Sequence, residues 1–463
     1  MKRFFGMIAV LVGLFVTLVL LSAFGYWFAA ECGNFANWLT WKMAGGEYVW
    51  REGPMYVGVT VWNIVLLMLL LVMPAASLLT VAERKWSAMM QNRVGANRIK
   101  VFGNPLGGIP YLLADALKML TKERVEPRGR TRFLYELAPV LSFAPVFALF
   151  AVVPVGMPLA VSSIPGFAAA PASLEKIALQ VADPDVGLLF LFAFASLAVY
   201  GTALAGWSSN SKLALLGGVR ASSQMISYEV SLGLSLVGCM LAYRTLRLEE
   251  MVAAQGNAVI GPIPALGILL QPVGFLVFFA SAFAETKRAP FDLPEGESEI
   301  VGYFIEYSGM KFGLMFLAEF AEIVVLSGIV TAVFLGGWHP VLFEGWLRDT
   351  LSPFWFAALG AGVFLAKMIV IMWLQLTIRW LLPRFRYDQI QKLCWKILLP
   401  TALANVFVTA AVALIDPSLT LLAWVGIATL VIIGVLTAAA GRVPAPAPAQ
   451  AGAGSAHAVA GGH

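Results

Sequence analysis

Charge is scarce in this 463-residue chain: Asp, Glu, Lys and Arg together make up 12% of it, against 60% hydrophobic residues. A soluble domain carries about twice that charged fraction, so water is excluded as the main solvent. Cysteine is nearly absent. Cys32, Cys239 and Cys394 lie far apart, without the paired spacing that holds zinc, haem or an iron–sulfur cluster. Histidine is as rare, and two of the three, His457 and His463, sit in the terminal tail away from His339, so no metal-ligand set forms. No glycine-rich nucleotide fingerprint follows a strand pattern. Any redox cofactor, whether flavin, haem or iron–sulfur cluster, is therefore expected on a partner. The formal net charge of +5 is spread over membrane-flanking segments and gives no reason to expect a nucleic-acid partner.

What the chain has in abundance is long apolar runs. Runs of about 20 residues span a hydrocarbon core of roughly 30 Å as helices, and helices satisfy their own backbone where lipid offers no partner. Ten spans are expected, over 5–29, 57–82, 133–155, 186–206, 221–242, 266–284, 312–335, 354–382, 395–415 and 419–440. With the segment after 82 placed in the cytoplasm, 24 of the 31 Lys and Arg residues fall on cytoplasmic segments and six on the other side, Lys367 lying within a span. That bias orients both termini to the cytoplasm. The fold class expected is all-α, a polytopic membrane bundle. The first span, longer than an ordinary signal-peptide core, is expected to stay uncleaved, and the Ala-, Pro- and Gly-rich tail over 442–463 to be disordered.

Two cytoplasmic segments interrupt the apolar pattern. The loop from Glu83 to Arg132 holds eleven basic and four acidic residues, with Asn, Gln and Gly interleaved through Gln91-Asn92-Arg93-Val94-Gly95-Ala96-Asn97-Arg98 as in a structured turn. Beyond it, Ile109, Leu112, Leu113, Ala116, Leu117 and Leu120 recur at helical spacing opposite Asp115 and Lys118. That pattern predicts an amphipathic helix lying on the membrane surface. The segment Glu285–Lys311 reverses the charge balance: Glu285, Asp292, Glu295, Glu297, Glu299 and Glu306 meet Lys287, Arg288 and Lys311. Pro290 and Pro294 forbid one continuous helix there. Carboxylates crowded on such a loop repel one another, which raises some of their pKa values towards neutrality, and groups that titrate near pH 7 can hold and pass protons.

Glu136, Glu229, Glu319, Glu322 and Lys367 fall inside expected spans. Five charges facing lipid would cost on the order of 15 kcal/mol, so they must face protein or water. At about 1.5 Å of rise per residue, Glu136 lies about 6 Å, Glu319 about 12 Å and Glu229 about 13 Å from the nearest preceding basic residue. Lys367 lies about 18 Å in from Arg379. A file of carboxylates running from the acidic loop towards a buried lysine reads as a proton path.

Several motifs in order are similar to one family. Glu83-Arg84-Lys85 with Gln91-Asn92-Arg93-Val94-Gly95, Gly206-Trp207-Ser208-Ser209-Asn210, Ser227-Tyr228-Glu229, Pro290-Phe291-Asp292-Leu293-Pro294-Glu295, Phe304-Ile305-Glu306-Tyr307-Ser308-Gly309 and Pro383-Arg384-Phe385-Arg386-Tyr387-Asp388-Gln389 resemble the H-subunit family of bacterial NADH:quinone oxidoreductase, respiratory complex I. The resemblance implies an inner-membrane subunit, inactive alone, whose core over 57–415 walls a quinone chamber against a peripheral redox arm and couples quinone reduction to proton translocation. It implies that Glu83, Arg84, Arg93, Asp115, Lys118, Glu285 and Arg288 serve the chamber and its entrance. Asp292, Glu295, Glu297, Glu299, Glu136, Glu229 and Glu319 would form the proton path. Quinone would be substrate, electrons would come from a cluster on a neighbouring subunit, and small membrane subunits of the pumping arm would be further partners.

The chain also departs from the family. The stretches 1–56 and 416–441, each with one span, are additions; Ala96 replaces an expected proline; and Glu322 matches no acidic family position. Competing readings are the equivalent subunit of a hydrogenase or other donor-linked complex, a free-standing ion transporter, for which no internal duplication is visible, and a passive scaffold, which the buried charges disfavour.

Overall fold

The computed structural model describes residues 62–99, 106–160, 176–261, 263–294, 302–340 and 344–440. The expected span 5–29, the tail 442–463, and Glu295, Glu297 and Glu299 lie outside the described residues. Within them the architecture is that of an all-α polytopic membrane protein, with two short antiparallel hairpins, Gly156–Ala160 with Lys176–Leu179 and Ala258–Ile260 with Ile263–Pro264, outside the helices.

Eight helices among the described residues are long and apolar enough to cross a membrane. They are α1 (Ile64–Met90), α3 (Arg132–Ala151), α4 (Gly187–Ser208), α5 (Lys212–Tyr243), α8 (Met310–Phe334), α10 (Pro353–Leu381), α11 (Tyr387–Ile415) and α12 (Thr420–Ala440). Shorter helices are α2 (Pro110–Thr121), α6 (Leu248–Gln255), α7 (Pro272–Glu285) and α9 (Glu344–Thr350). α1 continues to Met90, so Glu83, Arg84 and Lys85 project from a rigid helix and not from the loop expected there. Two stretches wind as π-helix, Ile64–Val72 in α1 and Cys394–Leu398 in α11. Each ends just before a proline, Pro74 or Pro400, whose missing amide hydrogen breaks the ordinary ladder and lets the preceding turns widen.

α8 lies at the centre: from Ala318 to Phe334 every residue is buried. The core formed around it includes Phe150, Val324, Val330, Phe334 and Phe364. α7 is the exception among the crossing elements. Its 14 residues cover about 21 Å, too little for the bilayer, and it stops at Glu285. The chain then runs through Thr286–Pro294 as irregular backbone that is buried throughout. The acidic loop therefore begins inside the bundle, not on its surface. Non-helical backbone at such depth is tolerated only when walled by protein, and the wall is specific: Gln224 on α5 donates to the carbonyls of Ala284 at 2.6 Å and Phe291 at 2.8 Å.

Helix α2 forms where expected and leaves Ile109, Leu113, Leu117 and Leu120 exposed along one stripe. α12 rests on the rest of the bundle through Leu422 and Ala423 against Ala242, Ala265 and Leu270.

α3 and α4 touch through a glycine. A Cβ built on Gly201 would lie 2.5 Å from the backbone nitrogen of Ser142, so any side chain there must push two helices apart. Gly201→Leu is expected to destabilise the protein by roughly 2–3 kcal/mol, read as a lowered midpoint of thermal unfolding in detergent, whereas Gly434→Leu, which meets open space, should leave it unchanged.

Candidate functional site

Ionised groups inside a bilayer persist only when each finds a partner within the protein, and the re-entrant turn after α7 supplies those partners. Arg288 reaches Glu83 of α1 at 2.7 Å, and the other oxygen of Glu83 is held by Arg379 from α10. The Arg288 guanidinium also lies 3.7 Å from the centre of the Phe320 ring, where the ring's negative face favours a cation. Lys287 pairs with Glu322 of α8 at 3.3 Å. Tyr303 donates its hydroxyl to Glu319 at 3.1 Å, and Arg384 reaches Asp292 at 3.4 Å. Glu83, Glu285, Lys287, Arg288, Asp292, Glu319 and Glu322 are all more than nine-tenths buried.

These groups surround a cavity of about 220 Å³, walled by Glu83, Arg84, Lys287, Arg288, Asp292 and Glu319 together with Phe316 and Phe320. Charged side chains and aromatic rings line it together, a combination that suits a ligand with a polar head on a flat or greasy body. Behind it, Glu285 is buried with neither carboxylate oxygen hydrogen-bonded among the described residues. Its charged neighbours are Glu322, Lys287 and Glu229. Glu229, half-buried on α5, accepts a hydrogen bond from Ser196 of α4. Carboxyl groups thus follow one another from the cavity into the α4–α5 contact.

The sequence-derived candidates separate into groups. Glu83, Arg84, Arg288, Asp292 and Glu319 meet at the cavity, with Glu285 and Glu229 behind. Asp115 of α2 is bound to Arg84 at 3.0 Å, which ties the surface helix to the cavity wall. Lys118 is exposed on α2, and Arg93 is exposed with its Nε donating to Gln91 at 2.6 Å; neither reaches the cavity.

Glu136 belongs to a separate rim network. Lys311 bridges it at 2.6 Å to Glu126 at 2.7 Å, beside the stacked rings of Tyr135 and Tyr307 at 4.1 Å. Glu322 and Lys287, absent from the sequence-derived site, are central. Glu322 could have been found from its spacing: three residues after Glu319, it lies on the same face of α8.

Lys367 does not end the file of carboxylates. It donates to the carbonyls of Leu335 at 2.6 Å, Gly337 at 3.0 Å and His339 at 2.8 Å, and so caps the far end of α8. The path from Glu322 to Leu335 is 13 residues of helix, about 20 Å. All three ammonium donors are occupied by backbone, which makes Lys367 an anchor for the helix that carries the acids.

The fold and its cavity define a polytopic α-helical membrane protein with an ion cluster walled in by its own helices. The chain belongs to the NADH dehydrogenase family, whose model matches residues 62–410. It is 44% identical over 345 residues to the NADH-quinone oxidoreductase H subunit 1 of Geobacter metallireducens, covering 74% of this chain and 93% of the relative. The NADH-quinone oxidoreductase H subunit of Protochlamydia amoebophila is 41% identical over 342 residues, covering 74% and 94%. That of Rhodospirillum centenum is 40% identical over 349 residues, covering 75% and 92%. The family match ends before α12 begins.

Two outcomes test this anatomy. Lys367→Met leaves three carbonyls without donors and is expected to destabilise the protein by about 3 kcal/mol, measured as a lowered thermal midpoint. At the rim, the hydrogen bond from Lys311 holds the Glu126 carboxyl below its ordinary 4.5. A depressed carboxyl stabilises its contact above its ordinary value and loses that contribution as pH falls through the lowered one. Hydrogen-exchange protection in the stretch 122–131 should therefore hold at neutral pH and fall only below about 4.5, and Lys311→Met should weaken that pH dependence, with Arg130 still bound to Glu126.

Proposed function

We propose that this chain is the membrane subunit of a proton-translocating NADH:quinone oxidoreductase that walls the quinone chamber and passes the consequence of quinone reduction into the membrane arm. The observation that carries the reading is the cavity itself: charged groups and aromatic rings face one space at the start of a buried series of carboxyl groups. Quinone is the substrate, with Arg288, Phe316 and Phe320 suited to its head and ring. Electrons come from an iron–sulfur cluster on a peripheral-arm partner, as the resemblance to the H-subunit family implies.

Reduction of quinone takes up two protons. Protons drawn from around the cavity change the charge balance that the Lys287–Glu322 and Arg288–Glu83 pairs maintain, and a buried pair that loses one charge leaves the other uncompensated. The cost falls on Glu285 and then Glu229, which stand next in line, and small membrane subunits of the pumping arm receive it beyond α4 and α5. The protein sits in the bacterial cytoplasmic membrane with both termini in the cytoplasm, the orientation that the Lys and Arg distribution favours. Glu295, Glu297 and Glu299 follow in the same acidic segment of the sequence and are assigned to the same proton path.

The test uses the assembled complex in proteoliposomes. Glu229→Gln and Glu322→Gln keep the shape of each side chain and remove its proton-binding equilibrium. Both are expected to lower proton pumping per NADH oxidised by at least about tenfold, the effect of removing a proton carrier. Electron transfer from NADH to an artificial acceptor at the peripheral arm should persist. Full pumping in both variants would overturn the proposed path.

A further inference from the structure

A second cavity, larger than the charged one, opens at the opposite end of the bundle. It measures about 390 Å³ and lies where α5 ends and α4 begins, walled by Asp185, Met240, Arg244, Leu246, Arg247 and Glu250. The two ends are distinct: the amide of Leu188, at the start of α4, bonds to the carbonyl oxygen of Leu246, while the other end of α4 meets Thr131, whose amide bonds to the carbonyl oxygen of Ser208. The cavity therefore sits at headgroup depth on the membrane face remote from the ion cluster. Near its lining residues in the chain, Val186 just before α4, Leu189 on α4 and Leu241 on α5 are exposed apolar residues.

Most of its charge is already paired. Arg247 is bound to Asp183 and, at 3.2 Å, to Glu250, and Thr245 donates to Glu250 at 2.5 Å. Two groups remain. Arg244, exposed and held in the left-handed conformation at φ 55° as it closes α5, makes no side-chain ion pair or hydrogen bond among the described residues; Asp185 makes no hydrogen bond there either, but stands close enough to Arg247 to attract it. A cation and an anion, neither of them hydrogen-bonded among the described residues, thus line one cavity together with Met240 and Leu246.

We propose that this cavity seats the headgroup of an ethanolamine phospholipid, with the phosphate on Arg244, the ammonium on Asp185 and the acyl chains along Val186, Leu189 and Leu241. Charge complementarity selects this class. Arg247 is already bound by Asp183 and Glu250, and Asp185 stands beside it, so a headgroup of net negative charge meets repulsion on that side of the cavity. A choline headgroup has no N–H to donate to Asp185, whereas a primary ammonium has three donors. Arginine matches phosphate oxygens in a bidentate fork, and a cavity of this size lies within the range of ligand sites.

The experiment compares wild type, Arg244→Asn and Asp185→Asn in the purified, delipidated complex, by native mass spectrometry after adding phosphatidylethanolamine, phosphatidylcholine, phosphatidylglycerol or inorganic phosphate. Asparagine tolerates the left-handed backbone at 244, so the change removes the cation without straining the helix end. Wild type should retain one more phosphatidylethanolamine than Arg244→Asn, at an affinity at least about tenfold above that for phosphatidylcholine, the factor contributed by one charge-assisted hydrogen bond. Asp185→Asn should erase that preference, and decides the matter alone if Arg244→Asn does not assemble. Equal ethanolamine-lipid retention in wild type and variants overturns the proposal, as does preference for phosphatidylglycerol or displacement of the lipid by inorganic phosphate.

Discussion

Everything in this protein is arranged around the requirement that ions sunk in a bilayer be matched inside the protein. Glu83, held between Arg288 and Arg379, joins α1, the re-entrant turn and α10 in one contact. Lys287 and Glu322 join the same turn to α8. Were these groups to face lipid, each would carry a penalty of several kcal/mol; facing one another, they fix the relative positions of the elements that contribute them. The buried pairs are thus a constraint on geometry more than a source of net stability, because desolvation offsets much of their mutual attraction.

That constraint explains the broken crossing. A continuous helix through 272–294 would satisfy its own backbone but would aim Lys287, Arg288 and Asp292 around its circumference. By ending α7 at Glu285, the chain brings all three towards α1, α8 and α10, and Gln224 satisfies two of the carbonyls exposed by the break. Lys367 performs the complementary service at the far end of α8, where it binds the carbonyls of Leu335, Gly337 and His339. α8 is thus held by charge at mid-length through Glu322 and at its far end by Lys367, which fixes the depth of Glu319 and Glu322.

The polar ends of the bundle differ in kind. At one, charges of both signs are buried together and interlocked; at the other, a cationic and a carboxylate side chain carry no hydrogen bond among the described residues, near exposed apolar residues. The first suits a reaction that changes charge within the protein, the second a neighbour that is itself part of the membrane.

The all-α class and the order of the membrane helices were legible in the sequence, because length and apolarity are local properties that lipid reads directly. Glu319 was legible too, since a charge in an apolar run stands out on its own, whereas Glu83, Arg288 and Asp292 were reached through the family motifs that carry them. The amphipathic α2 followed from its spacing in the same way. Tertiary structure alone decided which charges meet. It drew Glu322 and Lys287 into the cluster, left Arg93 and Lys118 on the surface, moved Glu136 to a separate rim network, and turned Lys367 from the supposed end of a proton path into a helix cap. Depth along a helix can be counted from a sequence, but the direction a side chain faces and the distant residue that answers it depend on how helices pack, and no local pattern carries that information.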